Sequence, residues 1–224
     1  MKNLILLLLL ASSLATAQSK KTVYLWLDLT DETLLVSHKE KAKTKVISFF
    51  NELKGENRDN SLKVKVMGIN HRLISDYKVD IDLPFGTSEV WGISSQSKND
   101  REDQIIKYKN NVLKAIEDIQ PVDIYATRIF ENLNEEFYNL SEEEGNKYAY
   151  VYSDLLENSD MGSIYDGSTV STNFKFGADL AGIKVFFIRD CPQEKRFNDL
   201  CDNAIVFWRS VFGENGYSLK IDSN

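Results

Sequence analysis

The sequence predicts an α/β domain with a doubly wound, mainly parallel sheet flanked by helices, and three observations predict it. The runs at 22–29 (TVYLWLDL) and 148–153 (YAYVYS) are apolar at nearly every position, which suits strands buried on both faces. Each run stops at a group of carboxylates and hydroxyls: Asp28, Thr30, Asp31 and Glu32 after the first, Ser153 and Asp154 after the second. Strand-like runs alternate along the chain with segments of helical spacing, the order of an α/β fold. Ligand sites in open α/β sheets lie outside the carboxyl ends of the strands, so Asp28, Thr30 and Asp154 are expected at one rim.

The chain has 224 residues, and its first 17 read as a secretory signal peptide. Lys2 gives a positive start, Leu4 to Leu10 form an apolar block too short for a stable span, and Ala15-Thr16-Ala17 supplies small residues before Gln18. Residues 18–224 then form one domain of ordinary size, exported to the periplasm or secreted. The formal net charge is −7, and losing the signal peptide removes one lysine and no acid, giving −8. That balance disfavours a nucleic-acid partner, because phosphate contacts need clustered Lys and Arg. No second long apolar segment predicts a membrane span.

Residues 22–29 are the first predicted strand. Leu34, Leu35, Ala42, Val46, Phe49, Phe50 and Leu53 recur at helical spacing over 33–53, and Gly55 stops the run. Residues 62–67 (LKVKVM) alternate with period two, a strand with one polar face. Within 70–97, residues 79–83 alternate again and predict an edge strand among loops. A helix is expected from about Lys98 to Ile119, ending before Pro121, and another from near Asp123 through Leu140. After the 148–153 strand, residues 155–182 are sparse in apolar side chains and read as a long irregular segment over the rim. A strand at 183–188, a helix at 197–212 and a last strand at 217–221 complete the order.

Cys191 and Cys201 are the chain's two cysteines. In an oxidising compartment two such near neighbours pair, so a local disulfide is expected. Their spacing fits neither a CxxC redox motif nor a zinc site.

Two carboxylates and two hydroxyls around one point suit Mg²⁺, Mn²⁺ or Ca²⁺, which are bound through oxygen. Asp28 and Thr30 project from one turn, Asp154 follows another central strand, and Thr127 lies near the start of the third helix. At these residues the chain resembles the von Willebrand factor type A (vWA) domain family and its metal-ion-dependent adhesion site. That motif reads Asp-x-Ser-x-Ser after the first strand, with Thr tolerated at the first Ser, then a Thr in a second loop and an Asp after the fourth strand. The matching positions are Asp28, Thr30, Thr127 and Asp154, and the resemblance covers about 23–221. It implies a vWA/Rossmann-like fold, a divalent cation and a protein partner, as in small exported bacterial members of the family. The third motif position is Glu32 instead of Ser. Either its carboxylate joins the ion and lowers the ion's demand for an acidic partner group, or it points away and Thr33 or water takes its place.

Each position also has a plainer reading. Thr30 or Asp31 can cap the helix that follows, Asp154 can cap the turn at Leu155, and Thr127 can cap or pack. His38 and His71 stand in charged or loop surroundings and read as solvated. Trp26 and Trp208 read as core, and Trp91 as packing or surface contact. An Asp ending an apolar strand also opens haloacid-dehalogenase-type phosphatases, with Ser153 mimicking their second motif. Their pattern needs Asp two residues later, where this chain has Thr30. No Gly-x-Ser-x-Gly elbow, HExxH or Gly-rich phosphate loop is present. The expectation is therefore a non-enzymatic, ion-dependent binding domain. The alternatives are a Mg-dependent phosphatase-type hydrolase using Asp28, or a scaffold with a vestigial site.

Overall fold

The computed structural model describes residues 20–55, 60–71, 78–83, 95–122, 126–159, 162–164, 174–192, 194 and 197–223. The segment read as a signal peptide and Trp91 lie outside the described residues. The strands are β1 (Lys20–Asp28), β2 (Ser61–Ile69), β3 (Lys78–Leu83), β4 (Asn146–Ser153), β5 (Asn158–Ser159), β6 (Gly162–Ser163), β7 (Ile183–Arg189) and β8 (Leu219–Ser223). The helices are α1 (Glu32–Gly55), α2 (Ser95–Asp118), α3 (Ile129–Glu142) and α4 (Asn198–Glu214).

Six strands form the main sheet in the order β3-β2-β1-β4-β7-β8, all parallel except β3. This is a doubly wound, vWA/Rossmann-like arrangement. The chain moves outward from β1 through β2 to β3, then returns to pair β4 on the other side of β1. The β1–β4 junction is thus the point where strand order reverses, the position beyond whose strand ends open α/β sheets bind their ligands.

Alternation along the strands divides the core into two layers. Leu25 and Leu27 of β1 pack with Val46 and Phe50 of α1 and Val112 and Ile116 of α2. Trp26 of β1 and Val151 of β4 face the other way, onto Leu133 and Phe137 of α3 and Trp208 and Phe212 of α4. β3 alternates as expected of an edge strand.

Three expectations need correction. Helix α3 begins at Ile129, not near Asp123, because Thr127 and Arg128 spend their backbone hydrogen bonds elsewhere. Thr127 forms a bridge with Asn158, and Arg128 donates to the Asn70 carbonyl at 3.0 Å. The described parts of 155–182 are not merely a cover: Leu155, Leu156, Phe174 and Leu180 are buried, and β5 and β6 pair antiparallel. Their few apolar residues are spaced so that nearly every one enters the core, which hides them from periodicity. His38 is fully buried, not solvated, because it falls on the inner stripe of α1 between Leu35 and Ala42.

The disulfide forms between Cys191 and Cys201, with Cα atoms 6.4 Å apart, and ties the exit of β7 to the start of α4. Among the described residues no helix is long and apolar enough to cross a membrane.

Candidate metal centre

Asp28 ends β1 at the strand-order reversal and is buried. Its Oδ1 accepts the Thr30 backbone N–H at 3.1 Å and the Thr30 hydroxyl at 2.7 Å. Its Oδ2 accepts the Ser153 hydroxyl from the end of β4 at 2.6 Å. Thr127 Oγ1 in turn donates to Thr30 Oγ1 at 3.1 Å. Three chain segments therefore meet in one hydrogen-bonded series: Thr127 to Thr30 to Asp28, with Ser153 closing the other side.

Asp154 is buried at the same strand end, and its Oδ1 accepts the Leu156 N–H at 2.9 Å. The preceding turn repeats this device, since Leu155 N–H donates to Ser153 Oγ at 2.9 Å. Between the two, Leu155 takes φ +67°, a left-handed conformation that a branched side chain rarely adopts. The Trp208 indole holds it there by donating to the Leu155 carbonyl at 3.0 Å. Glu32 is exposed in the first turn of α1, outside this hydrogen-bonded series. Asp31 caps the helix by accepting the Leu34 N–H at 2.9 Å.

The donor set fits a hard cation. Thr30 gives its proton to Asp28 and accepts one from Thr127, which leaves it one lone pair. Thr127 donates and keeps two. With the Asp154 and Asp28 carboxylates, the rim offers oxygen donors only, the chemistry of Mg²⁺, Mn²⁺ or Ca²⁺ sites. Among the described residues no group of three or more His, Cys, Asp and Glu is placed to hold a metal, so any such ion depends on the threonine hydroxyls.

Three neighbours lie outside the metal-ligand set expected from the sequence, and Ser153 had a role there only in the phosphatase-type alternative. Ser153, the closest partner of Asp28, needs β1–β4 register to be recognised. His38 lies behind Asp28; burial lowers its pKa, against the raising effect of the Asp28 and Asp190 carboxylates. Its helical spacing with Leu35 and Ala42 was the available signal. Glu157 is buried under the start of α3, where its Oε2 accepts the Phe130 N–H at 3.0 Å. Burial raises its pKa to about 8, although hydrogen bonds from Ser159 and the Phe130 and Ile129 amides oppose the shift.

A cleft of about 530 Å³ opens beside the rim, lined by Asp31, Ser37, Asp190 and Cys191 among others. Asp190 accepts hydrogen bonds from Ser37 and, at 2.8 Å, from Lys41. Burial pushes its carboxyl up, but these two donors outweigh burial and hold it below the ordinary carboxylate range.

No family model matches the chain, and no curated protein matches it by sequence. Among solved structures it is similar to the pilus adhesin SpaC from Lactobacillus rhamnosus GG in its open conformation. That likeness has a TM-score of 0.51 at 9% identity, over 93% of this chain and 28% of the adhesin. Proximal thread matrix protein 1 from the mussel byssus matches at TM-score 0.40 and 12% identity, over 92% of this chain and 42% of that one. Human COPII-coat protein Sec24c matches at 0.41 and 9%, over 92% and 30%. The chain spans less than half the length of each. The first likeness supports the fold and nothing finer, and the other two are too slight to support any reading.

Proposed function

We propose that this is an exported protein-binding domain of the adhesion type, which recognises its partner through a divalent cation at the C-terminal rim of the sheet. Asp28, Thr30, Thr127 and Asp154 would hold the ion. The observation that carries the reading is the Thr127–Thr30–Asp28 hydrogen-bonded series at the strand-order reversal. It orients two hydroxyl oxygens at one point from segments 97 residues apart. An ion bound there would accept a carboxylate or carbonyl oxygen from the partner. Glu32, exposed at the edge of the rim, would act by its charge on an approaching acidic group. The disulfide supports an oxidising destination.

The phosphatase-type alternative has one observation in its favour, the Ser153 hydroxyl on Asp28. The same contact argues for binding instead. Both Asp28 oxygens already accept hydroxyls, and position 30 supplies a threonine where that chemistry needs a general acid.

The test is a thermal melt of residues 18–224 in chelator, then with Mg²⁺, Mn²⁺ or Ca²⁺. A bound ion raises the midpoint with the logarithm of its concentration over its dissociation constant. Asp28→Ala should abolish that rise, and Glu32→Ser should preserve it and strengthen binding to an acidic partner group. A protein that melts identically with and without each metal would make the site vestigial.

A further inference from the structure

Helix α3 starts without a cap of its own. Its N-cap residue, Arg128, makes no side-chain hydrogen bond to the first turn. The first amides of a helix have no partner inside it, and the N-cap side chain ordinarily accepts from the second or third of them. Glu157 takes that part from 27 residues away, its Oε2 accepting the N–H of Phe130, the second helical residue, at 3.0 Å. It is buried there, with the Ser159 hydroxyl and the Ile129 amide as further polar neighbours. The backbone of the same residue is tied to the other side of the rim. Its N–H donates to the Leu155 carbonyl at 3.1 Å, closing the turn that follows Asp154, and its carbonyl accepts the Ile164 N–H at 2.9 Å. The next residue, Asn158, pairs with Thr127 through both backbone groups, at 2.9 and 3.1 Å. Thr127 therefore stands between two attachments, the helix start and the Asn158 bridge, and both run through 157–158.

We propose that Glu157 is the positioning residue of the rim: by capping α3 in place of Arg128 it fixes Thr127 relative to Asp154, and so sets the affinity for the divalent cation. A helix capped by its own first residue has no tie to the strand end beside it. One capped by Glu157 is locked to the segment that carries Asp154, three residues earlier. Divalent ions need their oxygen ligands at set distances, and contacts that orient a ligand from behind commonly govern metal affinity by about 10–100-fold. The effect on affinity rests on the reading of the rim as a cation site; the placement of Thr127 does not.

The test compares Glu157→Ala, Glu157→Gln and the parent, each as residues 18–224. In chelator, amide hydrogen exchange at Thr127, whose N–H bonds the Asn158 carbonyl, should be about tenfold faster in Glu157→Ala. Exchange at Leu29, bonded to the Ile69 carbonyl at 3.0 Å, should not change. Glutamine keeps an acceptor for the Phe130 N–H and should restore the parent rate at Thr127. In calorimetric titrations with Mg²⁺, Mn²⁺ and Ca²⁺, Glu157→Ala should bind about tenfold more weakly and Glu157→Gln like the parent. Glu157→Asp draws the carboxyl one methylene back from Phe130; it replaces the alanine variant if that fails to fold, and should show the same losses. Unchanged exchange at Thr127, or equal acceleration at Leu29, overturns the proposal. So does a glutamine variant that behaves like alanine, or faster exchange at Thr127 with ion affinity intact. A parent that binds none of the three ions overturns the cation reading of the rim, and the exchange rates in chelator still decide whether Glu157 places Thr127.

Discussion

Ser153 donates its hydroxyl to Asp28 at 2.6 Å across the β1–β4 junction, and the same oxygen accepts the Leu155 N–H at 2.9 Å. One serine thereby links the first rim residue to the turn that carries the last. The buried Asp28 carboxylate is supported by three donors before any ion is considered.

Replacing Asp28 by alanine should therefore destabilise the protein even in chelator. The Ser153 and Thr30 hydroxyls and the Thr30 amide lose their acceptor, at a cost of about 1–3 kcal/mol. Urea unfolding of the two proteins in chelator measures it, and identical midpoints would show that these contacts contribute nothing.

Glu157 should impose a slope on stability against pH. Its folded pKa, raised to about 8 by burial, exceeds the ordinary unfolded value, so the folded state holds a proton that the unfolded chain releases. Its contribution is complete below the unfolded pKa, near 4.5, and is lost as pH rises toward 8, with a limiting slope of about 1.4 kcal/mol per unit. Glu157→Gln keeps an acceptor for the Phe130 N–H and should flatten this fall when urea midpoints are compared from pH 5 to 8.5.

His38 acts with the opposite sign. Burial lowers its pKa, so the unfolded chain binds the proton more readily, and stability should fall as pH drops below the unfolded value of 6.5. His38→Leu should raise the melting temperature at pH 5 relative to the parent and change it less at pH 8. The two groups pull against each other only below pH 6.5, where His38→Leu should steepen the fall in stability with rising pH; above 6.5 Glu157 acts alone.

The Cys191–Cys201 bond closes a loop of ten residues, for which chain entropy predicts about 2–3 kcal/mol. Reduction, or Cys191→Ser with Cys201→Ser, should lower stability by that amount. Alkylation of non-reduced protein should label neither cysteine.

Most of the architecture was legible because buried parallel strands leave a dense apolar record. β1 and β4 carry it, and α1 carries its stripe from Leu35 to Leu53. What stayed hidden depended on partners distant in sequence. The start of α3 is set by Asn70 and Asn158, which no local signal near Thr127 reveals. Leu155 and Leu156 enter the core through a turn with positive φ at a non-glycine residue, contrary to ordinary turn chemistry. His38 was legible in principle, since Leu35, His38 and Ala42 share one helical face, but polarity obscured the spacing. Of the rim positions, Asp28 and Thr30 needed only the end of β1. The role of Ser153 needed the register of two strands.

The series Thr127–Thr30–Asp28–Ser153 also has a consequence for the order of events in folding. Its members are joined across 97 and 125 residues, and contacts between such distant positions come late because long loops must close first. Until β4 seats against β1, Asp28 lacks its Ser153 donor. Assembly of the rim therefore reports that the central strands have closed. A nascent or clipped chain lacking β4 has no such rim to present, so the rim is conferred by completion of the sheet itself.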